Sequence, residues 1–192
     1  MILASASPRR RELLRRICPD FTVEASDVDE ALGAGPVAPA VAALALRKAR
    51  AVARRAGPGL VLAADTVVVL DGEVLGKPAG PEEARAMLRR LRGRAHEVLT
   101  GVAVVDAASG RAASATERTR VLMAHYSDAT IEAYVASGAP LDKAGAYGIQ
   151  GWGGIFVPRI EGDYFNVMGL PLAALRRLCL GVDPPESGGA DR

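Results

Sequence analysis

The chain has 192 residues, of which 49% are hydrophobic and 24% are charged, and its formal net charge is +2. This length and composition predict one globular domain, and the small net charge disfavours a general nucleic-acid binder and favours small anionic ligands. Cys18 and Cys179 lack zinc-ligand spacing, so we expect a reduced, cytoplasmic protein without a zinc site or a disulfide framework. No apolar run approaches the about 20 residues of a membrane span, and no apolar export-signal segment follows the first arginines.

The N-terminal stretch MILASASPRRRELLRR predicts a short strand followed by a helix. Residues 1–4 are largely apolar and are expected to form a buried strand. Residues 9–17 are expected to form a helix that carries Leu13, Leu14 and Ile17 on one apolar stripe.

The junction of this strand and helix has the features of an anion-binding site. Ser7 is the expected N-cap residue, and Pro8 occupies the first helical position, where its missing N–H is not needed. A helix N-terminus presents unpaired backbone N–H groups to an anion, and Ser5, Ser7, Arg9 and Arg10 add hydroxyl and guanidinium donors. An ordinary capped surface helix with solvated arginines is the alternative interpretation.

The rest of the chain is predicted to alternate strands and helices, without an internal repeat. Strands are expected at residues 21–25, 97–106, 112–124 and 155–160, together with a hairpin in LVLAADTVVVLDGEVLGKP that turns at Asp71-Gly72. Helices are expected at residues 37–56, 81–92, 128–137 and 170–180. This order predicts an α/β fold with a mixed central sheet, as one domain over residues 1–180 followed by a disordered tail over 181–192.

Two carboxylates are candidates for catalysis or metal binding. Asp65 falls inside the apolar segment LVLAADTVVVL, where a charge is unfavourable unless it is paired or binds a metal, although it could instead cap a turn at a strand end. Glu30 lies in the acidic loop SDVDE, where carboxylates are usually solvated. Together with nearby cations, the two carboxylates can hold a hard divalent ion and a polyphosphate.

The lysines and histidines are less distinctive. Lys48 lies in the middle of a predicted helix, where a solvated lysine is the ordinary interpretation. Lys77 lies in the loop GKP, where the extended backbone before proline fixes its direction, and a lysine on such a loop can act as a point charge for phosphate. His96 and His125 are isolated and are interpreted as structural.

The segment GAYGIQGWGG, residues 145–154, has five glycines in ten residues, so its backbone can approach a flat ligand closely. The carboxamide of Gln150 can match the N3–H and carbonyl edge of uracil or thymine, and the hydroxyl of Thr66 can add a further contact. A glycine-rich loop alone is a weak indication, because such loops are common.

Taken in order, these motifs resemble the Maf family, once described as septum-formation inhibitors, whose members are nucleoside triphosphate pyrophosphatases. The resemblance runs from residue 2 to about 172 and is carried by LASASPRRRELL, VDE, LRKARA, AADTVV, GKP and DKAGAYGIQGWGG, continuing to IEGDYFNVMGLPL. SPRR and AGAYGIQG are similar to the branch that acts on dTTP and UTP, rather than to the branch that acts on 7-methylguanosine triphosphate.

The resemblance implies a role for each candidate residue. Asp65 matches the catalytic acid-base position, and the positions that determine substrate specificity are Arg9, Thr66 and Gln150. The phosphates are expected to bind Ser7, Arg10, Lys48 and Lys77. A divalent cation, Mg²⁺ or Mn²⁺, is expected on Glu30 and Asp65. Trp152 departs from the family pattern, which favours a smaller or aliphatic residue, and we expect it to affect only the outer packing of its loop.

The resemblance also implies an elongated mixed α/β structure with two lobes around a cleft, similar to inosine triphosphate pyrophosphatases, and a homodimer. The implied function is hydrolysis of dTTP and UTP to the monophosphate and pyrophosphate, a house-cleaning role with a link to arrest of cell division. The partners expected are a nucleoside triphosphate, and neither nucleic acid nor membrane. The alternatives are a pyrophosphatase for modified or purine nucleotides and a non-catalytic nucleotide-binding regulator of septum formation.

Overall fold

The structure, a computed structural model, describes residues 1–182. Its strands are β1 Ile2–Leu3, β2 Thr22–Val23, β3 Leu60–Leu70, β4 Glu73–Leu75, β5 Ala95–Asp106, β6 Ala112–Leu122 and β7 Arg159–Glu161. Its helices are α1 Pro8–Arg15, α2 Val37–Ala53, α3 Pro81–Leu91, α4 Asp128–Ala136, α5 Tyr164–Met168 and α6 Leu172–Val182. Of the tail predicted over 181–192, the first two residues belong to α6, and residues 183–192 lie outside the described residues.

Within residues 1–182, all seven strands belong to one sheet, in which the order is β2-β1-β3-β5-β6-β7 and β4 pairs with β3. β1 is parallel to both β2 and β3, whereas β4 is antiparallel to β3 and β7 is antiparallel to β6. The predicted α/β class with a mixed central sheet flanked by helices is therefore confirmed. Among residues 1–182, no helix is both long enough and apolar enough to span a membrane.

The described chain divides into two compact units. The first comprises Met1–Asp65, Gly101–Thr116 and the residues from Leu170 onward, and the second comprises Thr66–Thr100 and Glu117–Gly169. Strands β3, β5 and β6 contribute residues to both units. The predicted domain over 1–180, the elongated shape and the cleft stay predictions.

The core of the first unit is built from small side chains. It contains Ala4, Ala45, Ala49, Val52, Val61, Ala63, Ala103 and Val105. Small residues bring the backbones of α2 and the strands close together, and a Cβ at Gly101 would collide with the carbonyl of Val41 in α2. The buried face of α2 repeats at helical spacing through Val41, Leu44 and Lys48, so the lysine points inward.

The core of the second unit is formed by larger residues from α3, α4, the glycine-rich loop and the strands. Its largest fully buried side chains include Tyr134, Phe156 and Leu88. The hairpin between β3 and β4 turns at Asp71-Gly72 as predicted, with φ of 52° and 83° at the two turn residues. Positive φ at both positions is typical of the two-residue turns that match the twist of paired strands.

Three element predictions need correction, and one short helix was not predicted. Ile17 is 53% exposed, because α1 ends at Arg15 and the chain turns away before Ile17 can join the apolar stripe. The strand predicted over 155–160 begins only at Arg159, because residues 151–156 form a 3-10 segment. The helix predicted over 37–56 ends at Ala53, and α5 was not predicted. A five-residue helix gives too short a periodic pattern to be recognised.

Candidate active site

The N-terminus of α1 is organised by two serines. Ser7 is the N-cap residue, and its Oγ accepts the backbone N–H of Arg10 at 3.5 Å, which confirms the predicted cap. Ser5, only 7% exposed, accepts the N–H of Ser7 at 3.3 Å and Nη1 of Arg10 at 3.2 Å. The serines therefore fix both the start of the helix and the direction of the Arg10 side chain.

Arg10 is half-buried, and its guanidinium is held over this helix end. Burial lowers the pKa of Arg10, and the nearby carboxylate of Asp65 acts in the opposite direction. An arginine remains a cation at neutral pH even when its pKa is lowered. The interpretation of Arg10 as a solvated surface arginine is therefore wrong, and a partly desolvated cation lies beside a carboxylate.

Lys48 joins the two predicted carboxylates. Its Nζ donates to Oδ1 of Asp65 at 2.6 Å and to Oε1 of Glu30 at 2.7 Å. The side chain of Lys48 is 7% exposed, that of Asp65 is 15% exposed and that of Glu30 is 63% exposed. The solvated interpretation of Lys48 is wrong, and so is the strand-end interpretation of Asp65, because it lies inside β3 with apolar residues on both sides.

This geometry fits the donor set of a hard divalent cation. Glu30 and Asp65 both approach the same ammonium nitrogen, so their oxygens already converge on a positive charge. Among the residues that the structure describes, no third His, Cys, Asp or Glu completes a metal-binding group. Mg²⁺ is commonly held by only one or two carboxylates together with substrate phosphates, so two converging carboxylates fit such an ion.

The glycine-rich loop of the second unit lies against β3 and β5. Gly145 has φ of 69°, its N–H donates to the carbonyl of Gly76 at 3.0 Å, and a Cβ added to it would lie 2.9 Å from Cγ2 of Val68. Tyr147 contacts β5 through its hydroxyl, which lies 2.7 Å from Nε2 of His96. Because Gly76 precedes Lys77, these contacts tie the GKP loop to the glycine-rich loop.

The remaining candidates of the second unit differ in their surroundings. Thr66 is half-buried, and its Oγ1 lies 3.0 Å from Oγ1 of Thr100. Gln150 is half-buried at the start of the 3-10 segment, and Lys77 is exposed. Thr100 was missed from the sequence, although a single hydroxyl in the apolar strand segment VLTGVAVV was a usable signal.

Of the nine predicted residues, the structure brings five together in the first unit, namely Ser7, Arg10, Glu30, Lys48 and Asp65. Arg9 is half-buried in the same helix turn. The other three belong to the second unit and are Thr66, Lys77 and Gln150.

The two histidines and Trp152 lie outside this group. His96 is 3% exposed, and burial lowers its pKa to about 4, so it is neutral at physiological pH. His125 is exposed and packs against Gly93. Trp152 is 45% exposed and meets Tyr134 edge to face at 5.6 Å, and its effect on loop packing stays a prediction.

Comparison with known proteins adds sequence relatives that cover almost the whole chain. The family model described as "Maf-like protein" matches residues 1–181. The dTTP/UTP pyrophosphatase of Moorella thermoacetica is 55% identical over 186 residues, which cover 95% of this chain and 96% of the relative. The dTTP/UTP pyrophosphatase of Salinibacter ruber is 58% identical over 180 residues, which cover 92% of this chain and 88% of the relative. The structure of the Staphylococcus aureus Ham1 protein is 16% identical with a TM-score of 0.45, covering 64% of this chain and 70% of that chain.

Proposed function

The chain belongs to the Maf family, and we propose that it hydrolyses dTTP and UTP to the nucleoside monophosphate and pyrophosphate. The reaction is the hydrolysis of an acid anhydride, and it requires no covalent enzyme intermediate. Support comes from relatives that carry this activity in their names and share about half of the sequence over nearly the full length.

The observation that carries the proposal is the ion pair of Lys48 with Glu30 and Asp65, beside the capped N-terminus of α1. Lys48 and Asp65 are both largely buried, at 7% and 15% exposure, and burying two charges is unfavourable for stability even when they are paired, so this pair is better explained by a role in the reaction than by a role in folding. The same arrangement provides a negative group for water or a cation and positive groups for phosphates. This combination is what the cleavage of a triphosphate requires.

We assign the phosphates of the substrate to cationic and N–H donors of this chain. Ser7 and the N-terminus of α1 offer hydroxyl and backbone donors, and Arg10 offers a forked guanidinium. An ammonium has three N–H donors, of which Lys48 gives two to the carboxylates, so the third can be directed to a phosphate oxygen. In the second unit, Lys77 is the point charge assigned to a phosphate.

We assign Asp65 as the general base. Its Oδ1 accepts from Lys48, and Oδ2 is the oxygen that takes the proton of a water aligned on the α-phosphorus. As that water attacks, the bond from the α-phosphorus to the bridging oxygen breaks and pyrophosphate leaves, its charge balanced by the cations named above. Glu30 and Asp65 would hold a divalent cation, Mg²⁺ or Mn²⁺, which when bound neutralises phosphate charge.

We assign base selection to Arg9, Thr66 and Gln150. The amide of Gln150 can pair with the N3–H and carbonyl edge of uracil or thymine, and Thr66 can bind the same edge.

Cytoplasmic location, a homodimer and a house-cleaning role linked to arrest of cell division belong to the proposal as well. Neither nucleic acid nor membrane is a proposed partner.

The test is the release of pyrophosphate from a panel of dTTP, UTP, CTP, ATP, GTP and 7-methylguanosine triphosphate, with Mg²⁺ or Mn²⁺ and with chelator. We expect dTTP and UTP to give the highest kcat/KM, and we expect chelator to abolish release until excess metal is added. Preference for a purine or modified nucleotide would favour the first alternative. Nucleotide binding without pyrophosphate release would favour a regulator.

A further inference from the structure

Thr66 and Thr100 form a pair of hydroxyl groups on neighbouring strands. Thr66 lies on β3 and is half-buried, whereas Thr100 lies on β5 and is fully buried. Their Oγ1 atoms are 3.0 Å apart, a hydrogen-bond distance at which the oxygens alone do not reveal the donor. The second hydrogen bond of Thr100 shows which of the two hydroxyls is the donor.

The hydroxyl of Thr100 also lies 3.0 Å from the backbone carbonyl oxygen of Asn166 in α5. A carbonyl can only accept, so Thr100 must donate its single hydrogen to Asn166. Thr100 is then the acceptor in its bond with Thr66, and Thr66 must donate. The hydrogen of the Thr66 hydroxyl is therefore directed toward Thr100, and any remaining hydrogen-bonding capacity of this oxygen is that of an acceptor.

The side chain of Asn166 is anchored by hydrogen bonds, and this fixes the position of the carbonyl that accepts from Thr100. Its side chain is fully buried, and Nδ2 donates to the carbonyl of Val98 at 3.0 Å and to Oγ1 of Thr119 at 2.9 Å. Thr119 in turn binds both the N–H and the carbonyl of Asp163, the residue that caps α5. The acceptor that takes the hydrogen of Thr100 is thus anchored to β5 and β6.

The glycine-rich loop lies over the face of the sheet that carries these hydroxyls. Side chains two residues apart on a strand share a face, so Val68 lies on the face of Thr66. By the same spacing, His96 lies on the face of Thr100. Gly145 packs against Val68, and Tyr147 binds His96, so the loop that carries Gln150 covers this face.

We infer that Thr100 is a positioning residue that fixes Thr66 as a hydrogen-bond acceptor and so selects bases with a donor at N3. Uracil and thymine present N3–H, whereas cytosine presents an N3 lone pair, which meets the lone pairs of Thr66. The amide of Gln150 can rotate to exchange its donor and acceptor, but the hydroxyl of Thr66 has no such freedom. This inference rests on the proposed function, in which the base contacts Thr66 and Gln150.

The test compares UTP with CTP in Thr100→Val, Thr100→Ala and Thr100→Ser. Valine has nearly the shape of threonine without its hydroxyl, and the carbonyl of Asn166 keeps its bond from the N–H of Gly169. We expect wild type to favour UTP by about 100-fold or more in kcat/KM, since a site with a fixed acceptor rejects an unmatched base. Thr100→Val and Thr100→Ala should lower this ratio by about 10-fold or more, and Thr100→Ser should retain it.

A ratio of two substrates is independent of the folded fraction, so partial destabilisation cannot imitate this result. An unchanged ratio in Thr100→Val and Thr100→Ala would overturn the inference, and so would a wild type that accepts CTP as readily as UTP. The ratio of Kd for the two nucleotides, measured by calorimetry with chelator present, separates this inference from the proposed function. Loss of UTP preference in binding would support the role of Thr100 even if no pyrophosphate were released.

Discussion

At the scale of single residues, Asp65 combines a charge with a position inside an apolar strand. Replacing it by asparagine preserves size and removes the charge that binds Lys48. Because a general base contributes at least about 100-fold to the rate, Asp65→Asn should lower kcat by about 100-fold or more, measured as pyrophosphate release from UTP. The matched control is Asp27→Asn, which removes a carboxylate that is 86% exposed and 3.4 Å from Arg55. Near-normal turnover by Asp65→Asn would exclude this residue as the base.

Lys48 provides a second test, because it is the buried partner of both carboxylates. In Lys48→Met the packing of the aliphatic stem remains but Asp65 and Glu30 lose their shared cation. A charge-assisted hydrogen bond contributes about 1.5–3 kcal/mol, so we expect kcat/KM for UTP to fall by about 10-fold to 100-fold. Arg50→Met, on the exposed face of the same helix, is the control. Equal effects of the two variants would show that Lys48 has no specific role.

The location of Lys48 could not be predicted from its local sequence. Its helix is rich in alanine, and alanine is compatible with either a buried or an exposed face, so the periodicity of ALRKARAV does not show which way the lysine points. Its burial depends on a carboxylate of β3 and one of a loop, 17 and 18 residues away. Only the resemblance to a family indicated its role.

At the scale of elements, α1 supports function through its cap. Ser7→Ala removes the acceptor for the N–H of Arg10, which should lower the free energy of unfolding by about 1 kcal/mol. We also expect KM for UTP to rise, because the donors of this helix end are assigned to phosphate.

The control for this prediction is Ser127→Ala at the N-cap of α4, whose Oγ accepts the N–H of Thr130 at 3.1 Å. Urea unfolding should show a similar loss of stability in both variants, whereas steady-state kinetics should show a raised KM only for Ser7→Ala. A KM that changes equally in both would contradict a phosphate role for the start of α1.

Element boundaries were predictable where the local signal also fixes the backbone. Ser7-Pro8 determined the start of α1, and Asp71-Gly72 determined the hairpin, because cap and turn residues act within four positions of themselves. The predicted boundaries were wrong where contacts with residues distant in sequence determine the backbone conformation. Ile155 to Val157 have high strand propensity, yet packing of Phe156 into the core and close contact between Gly153 and Gly148 hold a 3-10 segment there.

At the scale of the whole molecule, the α/β class followed from the order of strands and helices, but the grouping of the site residues did not. Asp65 and Thr66 are neighbours in sequence and fall in different compact units, while Glu30 and Asp65 are 35 positions apart and share one lysine. Which residues meet is set by how the strands pair, and the sequence pattern of β3 contains no information on its neighbours. The lone hydroxyl of Thr100 was visible in an apolar segment, but its contacts with Thr66 and Asn166 could not be predicted, for the same reason.

The stability of the whole molecule should depend on pH through His96, whose pKa burial lowers to about 4. An unfolded histidine has a pKa of about 6.5, so below that value the unfolded chain binds more protons than the folded chain, and stability is lost as the pH falls. Between pH 7.5 and pH 5 the loss should be about 2 kcal/mol, at about 1.4 kcal/mol per pH unit below 6.5. Urea unfolding of wild type and His96→Gln at several pH values measures this loss of stability. His125→Gln, at an exposed histidine, is the control. The contributions of other titrating groups cancel in the difference between the free energies of unfolding of wild type and His96→Gln. This difference should therefore shrink by about 2 kcal/mol between pH 7.5 and pH 5. A constant difference would show that His96 is not buried in its neutral form.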